Sequence, residues 1–169
     1  MAKVNNNLDS LFPSLEASHK EENDVDYDFF DFERLTLGDI GDGEHYQGKP
    51  VLSDVSSVTF DEDGQEITKY RCQLWLVDYE AQEFLQINLN LKNSTDVQVN
   101  VHYKSQLYKL VGGINEQLSP GWTQANNYID RVDLSEIRDY VNKLKSMTIR
   151  AREVHGTFDY YTYAVKEIQ

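Results

Sequence analysis

Alternating apolar and polar residues between residues 48 and 92 predict a meander of three β-strands. The first run covers residues 48–60 and is followed by the turn sequence DEDGQ at 61–65, so a hairpin is expected there. The two later strands, at 68–78 and 83–92, have the period of half-buried strands. Each places apolar side chains on one face: Cys72, Leu74 and Leu76 in the first, and Leu85, Ile87, Leu89 and Leu91 in the second.

The second half of the chain switches to helical spacing and then back to strands. Ser105 is a suitable N-cap for a helix that begins at residue 106, although Gly112–Gly113 could end it early. Asp133 and Glu136 form a capping-box pattern at the start of a second helix. Runs at 147–154 and 159–168 predict a closing hairpin.

This order predicts a mainly β domain with one or two helices, of the α+β class. Five strands with a helix between the third and the fourth are the order of an OB-like barrel. A generic α+β sheet domain would produce a similar order of elements.

Charge divides the 169-residue chain into two parts. Residues 1–43 contain eleven acidic and three basic residues, a net charge of −8, whereas residues 44–169 have a net charge of −5. We therefore expect an acidic, largely flexible N-terminal arm over 1–43 and the OB-like domain over 44–169. Within the arm, the stretch 8–15 is a candidate docking motif, and the alternative is a tail with incidental leucines.

The chain contains one cysteine, Cys72, and no apolar run of 18 residues. A lone cysteine suits a reducing compartment, and without such a run a membrane span is not expected. The sequence does not begin with basic residues followed by an apolar stretch, so a signal peptide is not expected. We expect a cytoplasmic protein with no membrane partner.

The sequence offers no arrangement of residues typical of catalysis or metal binding. The four histidines are far apart, and the Gly-rich stretch 38–48 lacks the lysine and the helix that a phosphate-binding loop requires. Cys72 lies in the middle of a strand, on its apolar face, with no base beside it in the pattern. We expect no metal, no cofactor and no enzymatic activity.

The polar face of the predicted sheet is the main candidate site. It combines aromatic rings, amides and a cation, which is the pattern of a surface on which the bases of a single strand stack. Its candidate nucleic-acid-binding residues are Arg71, Gln73, Trp75, Phe84, Gln86 and Asn88. The alternative is that helices or the N-terminal segment cover Trp75 and Phe84.

The closing hairpin adds a second group of candidates. Alternation in its first strand, at 147–154, places the arginines on the face opposite the apolar residues. Its second strand, at 159–168, is rich in tyrosine. The candidates here are Arg150, Arg152, Tyr160 and Lys166.

Four segments together resemble the small single-stranded-DNA-binding proteins of phages and mobile elements of Gram-positive bacteria. They are GKPVLSDVSSVTF, LQINLNLK, SQLYKLVGGI and LKSMTIRAREVHGTFDYYTYAVKEI, and the resemblance covers residues 45–169. It implies an OB fold and binding of single strands, without sequence preference, during replication or recombination. By position it implies contacts from Arg71, Trp75, Phe84, Arg150, Arg152 and Tyr160.

The stretch DVDYDFFDFERL at 24–35 combines rings with carboxylates. Such a segment resembles the ligand of a nucleic-acid groove, with charges in place of phosphates and rings in place of bases. We therefore expect an autoinhibitory or partner-binding role for Tyr27, Asp28, Phe29, Phe30, Asp31 and Phe32. An additional edge strand that covers apolar surface is the alternative reading.

Three functional hypotheses follow. The first is binding of single-stranded DNA, or RNA, with replication or recombination proteins recruited by the arm. The second is an acidic protein-interaction module or DNA mimic that binds a DNA-handling protein, steered by the net charge of −13. The third is a structural or assembly protein of a phage or mobile element, which would form a concentration-dependent homo-oligomer and have no affinity for nucleic acid.

Overall fold

The computed structural model describes residues 27–91 and 97–169 of the chain. Within these ranges the fold is mainly β and belongs to the α+β class, as predicted. The strands are β1 (Glu33–Leu35), β2 (His45–Leu52), β3 (Ser56–Glu62), β4 (Gln65–Asp78), β5 (Glu83–Leu91), β6 (Val97–His102), β7 (Tyr128–Asp133), β8 (Met147–Val154) and β9 (Tyr160–Ile168). The helices are α1 (Leu37–Ile40), α2 (Gln106–Leu118), α3 (Trp122–Ala125) and α4 (Leu134–Lys143).

Seven strands form one sheet in the order β1-β5-β4-β2-β8-β9, with β3 paired to β4 outside this path. Strands β6 and β7 form a separate antiparallel pair. All pairs in the large sheet are antiparallel except β1 with β5.

Strand β2 joins the two halves of the large sheet. Its first half pairs with β8, and its second half, from Lys49, pairs with β4. Gly48 lies at the change of partner, where a Cβ would approach the backbone of Leu76 and Val77 to 2.7 Å. Glycine therefore permits the close crossing on which this sheet depends.

The sheet is not closed into a barrel, so the predicted OB-like barrel is not confirmed. Helix α2 lies against strand β9, because Gly113 brings the helix onto Val165. Its Gln106 and Gln117 side-chain amides donate to the carbonyl oxygens of Tyr161 and Val165, at 3.4 and 3.3 Å. The helix thus covers the edge that barrel closure would need.

The predicted faces of β4 and β5 are confirmed. Their apolar side chains enter the main core with those of the helices, β8 and β9. The seven predicted positions are all buried: Cys72, Leu74, Leu76, Leu85, Ile87, Leu89 and Leu91.

The first predicted strand, at 48–60, is instead two strands. The chain bends at Ser53–Val55, where the Ser53 hydroxyl accepts a hydrogen bond from the Gln73 backbone N–H at 2.8 Å. This side-chain bond takes the place of a ladder bond between two main chains.

Both predicted helices are present, and both N-caps are confirmed. Ser105 accepts from Tyr108 N–H, and Asp133 accepts from the N–H groups of Ser135 and Glu136. Helix α2 does not end at Gly112–Gly113 but continues to Leu118. The glycine at position 113 is explained by packing, because a side chain there would collide with Val165 of β9. Strands β6 and β7 and helix α3 were not predicted.

Part of the segment assigned to the N-terminal arm lies on the domain. Strand β1 pairs with β5, and Thr36 and Asp39 form a capping box around α1. The Gly43 N–H donates to Ala151 O at 2.8 Å. The candidate docking motif at 8–15 lies outside the described residues, and the boundary at 43/44 stays a prediction.

Among the helices that the structure describes, none has the length and apolar composition needed to cross a membrane.

Candidate nucleic-acid interface

The candidate residues of β4 and β5 lie on the face of the sheet opposite the main core. The strand register pairs Gln73 with Asn88 and Trp75 with Gln86. Arg71 and Phe84 lie on the same face, one pair further on in each direction. The structure therefore brings the first group of predicted residues together.

Hydrogen bonds connect the amides of this face. The Trp75 indole N–H donates to Gln86 Oε1 at 3.1 Å, and Gln86 Nε2 donates to Asn88 Oδ1 at 3.2 Å. The chain of bonds fixes the orientation of the Gln86 amide and leaves the Asn88 side chain exposed at its end. A fixed donor and acceptor pattern suits contacts to base edges or to a backbone.

Residues Tyr27–Phe32, here called the strap, fold over the apolar end of this face. The strap makes a turn in which the Phe32 N–H donates to Phe29 O at 2.9 Å. Phe29 has no exposed surface and lies edge-to-face against Trp75 and Phe84, with ring centroids 5.5 and 5.2 Å apart. Together with Val51, Val77, Trp75 and Phe84, it forms a second, smaller apolar cluster.

The outer part of the strap presents rings and carboxylates. Tyr27 and Phe30 are stacked at 5.2 Å, and both meet Trp75 edge-on. The Tyr79 hydroxyl donates to Asp28 Oδ1 at 2.9 Å. Asp28 and Asp31 are exposed, so the strap carries charge on its outer surface and apolar contact beneath.

The sequence left open whether Trp75 and Phe84 are exposed or covered, and the structure has them covered by the N-terminal segment. Trp75 is 7% exposed and Phe84 is 5% exposed. Phe30, by contrast, is 56% exposed. Base stacking on Trp75 and Phe84 would therefore require the strap to move.

A groove of about 600 Å³ remains between the strap and the sheet. It is lined by eight side chains, five of them predicted nucleic-acid contacts: Phe30, Phe32, Arg34, Arg71, Gln73, Trp75, Phe84 and Gln86. Arg34 and Arg71 are exposed, and neither forms an ion pair with any residue that the structure describes. Two exposed cations beside aromatic rings suit an anionic ligand with planar groups.

Arg34 was not among the predicted contacts. Arg34 follows the aromatic residues in FDFERL. The local sequence predicts neither strand β1 nor the groove beside Arg34. The signal that could have found it is a lone cation inside a strongly acidic segment.

The second predicted group is not part of this groove. Arg150, Arg152, Tyr160 and Lys166 lie on β8 and β9, and β2 separates these strands from β4. Arg150 Nε donates to Gly43 O at 3.3 Å. Tyr160 is 52% exposed.

Three side chains of metal-ligand type meet at the end of the β8–β9 hairpin. His155 lies 3.7 Å from a Glu153 oxygen and 3.3 Å from an Asp159 oxygen. His155 and Asp159 are exposed, and mutual pairing accounts for the contacts.

Burial raises the pKa of the Cys72 thiol to about 12. The thiol is therefore protonated at neutral pH, and a protonated thiol is a weak nucleophile. The geometry gives Cys72 a packing role.

No protein-family model, curated protein or solved structure matches the chain. The chemistry of the groove therefore carries the functional argument.

Proposed function

We propose that the protein binds single-stranded DNA without sequence preference, through the face of β4–β5 that lines the groove, with the strap displaced. The observation that carries this proposal is the joint presence of Arg34 and Arg71 with the rings of Trp75 and Phe84 and the amides of Gln73 and Gln86. Arginine meets phosphates, and rings stack on bases of any identity. RNA offers the same charges and rings, so DNA preference is a separate outcome of the test.

We further propose that β2, β4, β5, β8 and β9 are the five strands of an OB-like fold left open between β5 and β9. Their order in the sheet, the double pairing of β2 and the position of α2 before β8 support this assignment. Strand β3 then extends the first hairpin. The groove would lie on the second and third strands, the face with which OB folds bind oligonucleotides.

The strap fits the role of a competitor for this site. Phe29 occupies the surface of Trp75 and Phe84 that a stacked base would need. In this proposal only molecules with an open strap bind, so the apparent association constant is the intrinsic one multiplied by the open fraction. A partner protein that binds the strap would open the site. In this proposal, replication or recombination proteins of a phage or mobile element act on the chain in this way.

A second candidate, an acidic protein-interaction module, is favoured by the tip of the β3–β4 hairpin. Four exposed carboxylates lie within six residues there, at Asp61, Glu62, Asp63 and Glu66. A basic partner protein would bind such a tip rather than the groove. Binding of a basic protein without any affinity for oligonucleotides would favour this candidate.

The test of the leading proposal is fluorescence anisotropy of a labelled oligo-dT at several salt concentrations. Arg71→Gln should weaken binding about tenfold and reduce the salt slope by about one, because one phosphate contact is lost. Arg131→Gln is the matched control, since Arg131 is an exposed arginine on the separate β6–β7 pair. Equal effects of the two variants, or no binding by the wild type at micromolar concentration, would overturn the proposal.

A further inference from the structure

A second cavity, of about 370 Å³, lies between helix α2 and strand β9 and shares no residue with the groove. We call it the lysine cavity. Its walls include two lysines, an exposed tyrosine and three further polar residues: Lys109, Lys166, Tyr103, Glu116, Thr123 and Asn127.

The cavity results from the way α2 is attached to the sheet. Gly113 lies so close to Val165 that a Cβ would come within 2.8 Å of the valine Cβ. Lys109 lies one helical turn before Gly113, on the same side of the helix. The Tyr108 hydroxyl donates to Asn126 O and so ties the segment after α3 to the helix as the opposite wall.

The cations of this region form no ion pair with an acid that the structure describes. Glu116 lines the cavity, but its carboxylate already accepts hydrogen bonds from Gly121 N–H at 2.6 Å and from the N–H and hydroxyl of Thr123 at 2.9 and 2.7 Å. Among the residues that the structure describes, Lys109, Arg152 and Lys166 form no ion pair.

Lys109 is half-buried, and burial together with the nearby Arg152 lowers its pKa. Lys109 and Arg152 thus repel each other, and neither forms an ion pair with a carboxylate of the described residues. A bound anion would compensate this repulsion.

We propose that the lysine cavity binds the phosphate group of a nucleotide. Lys109 and Lys166 supply the charge for the phosphate. Tyr103, 42% exposed, supplies a ring for the base, and the Asn127 amide can meet a base edge. The volume lies within the range of small-molecule sites.

The phosphate could come from a free nucleotide or from a nucleic-acid strand, and the experiment separates these sources. Inorganic phosphate, dTMP and oligo-dT are each titrated into the full chain. Calorimetry and backbone amide NMR shifts measure the binding. Lys109→Met keeps the aliphatic part of the side chain and removes the charge. Lys145→Met is the matched control, because Lys145 is an exposed lysine outside both sites.

We expect Lys109→Met to weaken dTMP binding about tenfold, as for a lost charge-assisted hydrogen bond, and Lys145→Met to leave it unchanged. Tyr103→Ala should weaken dTMP but not inorganic phosphate. If only oligo-dT depends on Lys109, the phosphate belongs to a strand. If none of the three probes depends on Lys109 in a variant with wild-type melting temperature, the proposal is overturned.

The site does not depend on the groove. The two sites share no lining residue, and the amide shifts of each set are read separately, so failure of one proposal is distinguishable from failure of the other.

Discussion

Replacing Phe29 by alanine tests whether the strap is a separable cover over the sheet. Phe29 is fully buried between Trp75 and Phe84, and it is the strap's deepest contact. Burying a phenylalanine stabilises by about 1.5–3 kcal/mol, and each aromatic pair adds about 0.5–1.5 kcal/mol. We therefore expect Phe29→Ala to weaken strap docking by about 3 kcal/mol.

That loss has two consequences of different size. In a closed core a Phe→Ala change costs about 3–5 kcal/mol of global stability. The strap can detach instead, so the loss of global stability cannot exceed its docking free energy. A change of about 3 kcal/mol shifts the closed-to-open ratio by more than about a hundredfold. If the wild-type strap is mostly closed, the apparent affinity for oligo-dT should rise by about tenfold or more.

Tryptophan emission and oligo-dT anisotropy measure the two consequences. The emission is best recorded in a Trp122→Phe background, so that Trp75 is the sole tryptophan. Phe29→Ala should shift the emission to the red, as water reaches the indole. Phe158→Ala, which truncates a phenylalanine that is 81% exposed, is the matched control for emission and stability.

Two outcomes would refute this reasoning. A red shift without any gain in affinity would mean that the strap covers the rings but does not compete with DNA. A global loss of about 3–5 kcal/mol without a red shift would mean that the strap is an inseparable part of the core.

Two further predictions concern strand β2. Gly48→Ala should lower the free energy of unfolding in urea by about 1–3 kcal/mol through overpacking against Leu76 and Val77. Gly156→Ala, whose Cβ would meet nothing closer than 3.9 Å, should be neutral, and equal losses would contradict the crossing geometry. Burial lowers the pKa of Lys49 to about 8, so the unfolded chain holds this proton at higher pH than the folded chain does. The stability of the wild type relative to Lys49→Met should therefore rise from pH 8 to pH 10, by on the order of 1 kcal/mol after allowance for partial exposure. A difference in urea midpoints that does not change with pH would contradict the lowered pKa.

The parts of the fold that local patterns determine were predictable. Strands β4 and β5 have strict alternation because one face meets a core, and Asp133 caps α4 through its own side chain. Strand β7 was missed because its buried residues, Ile129 and Val132, are three positions apart. That spacing does not show the period of a strand.

The shared face of five groove-lining residues was predictable, but the groove that they form with the strap was not. Register along β4 and β5 placed Arg71, Gln73, Trp75 and Gln86 on one face, and alternation alone determines this. Which ring of the Phe29–Phe30 pair turns inward depends on contacts with Trp75 and Phe84, far away in the sequence. No local pattern contains that information.

The side-chain amides of helix α2 at strand β9 have a consequence for self-association. An open sheet edge is a template for a strand of another molecule, and repeated addition leads to aggregates. Because Gln106 and Gln117 already donate to carbonyl oxygens of β9, an incoming strand would first have to displace the helix. If copies of this protein pair through their sheets, they should do so through β1 or β3, each of which has one neighbour in the described chain. A homo-oligomer formed there would leave β9 untouched.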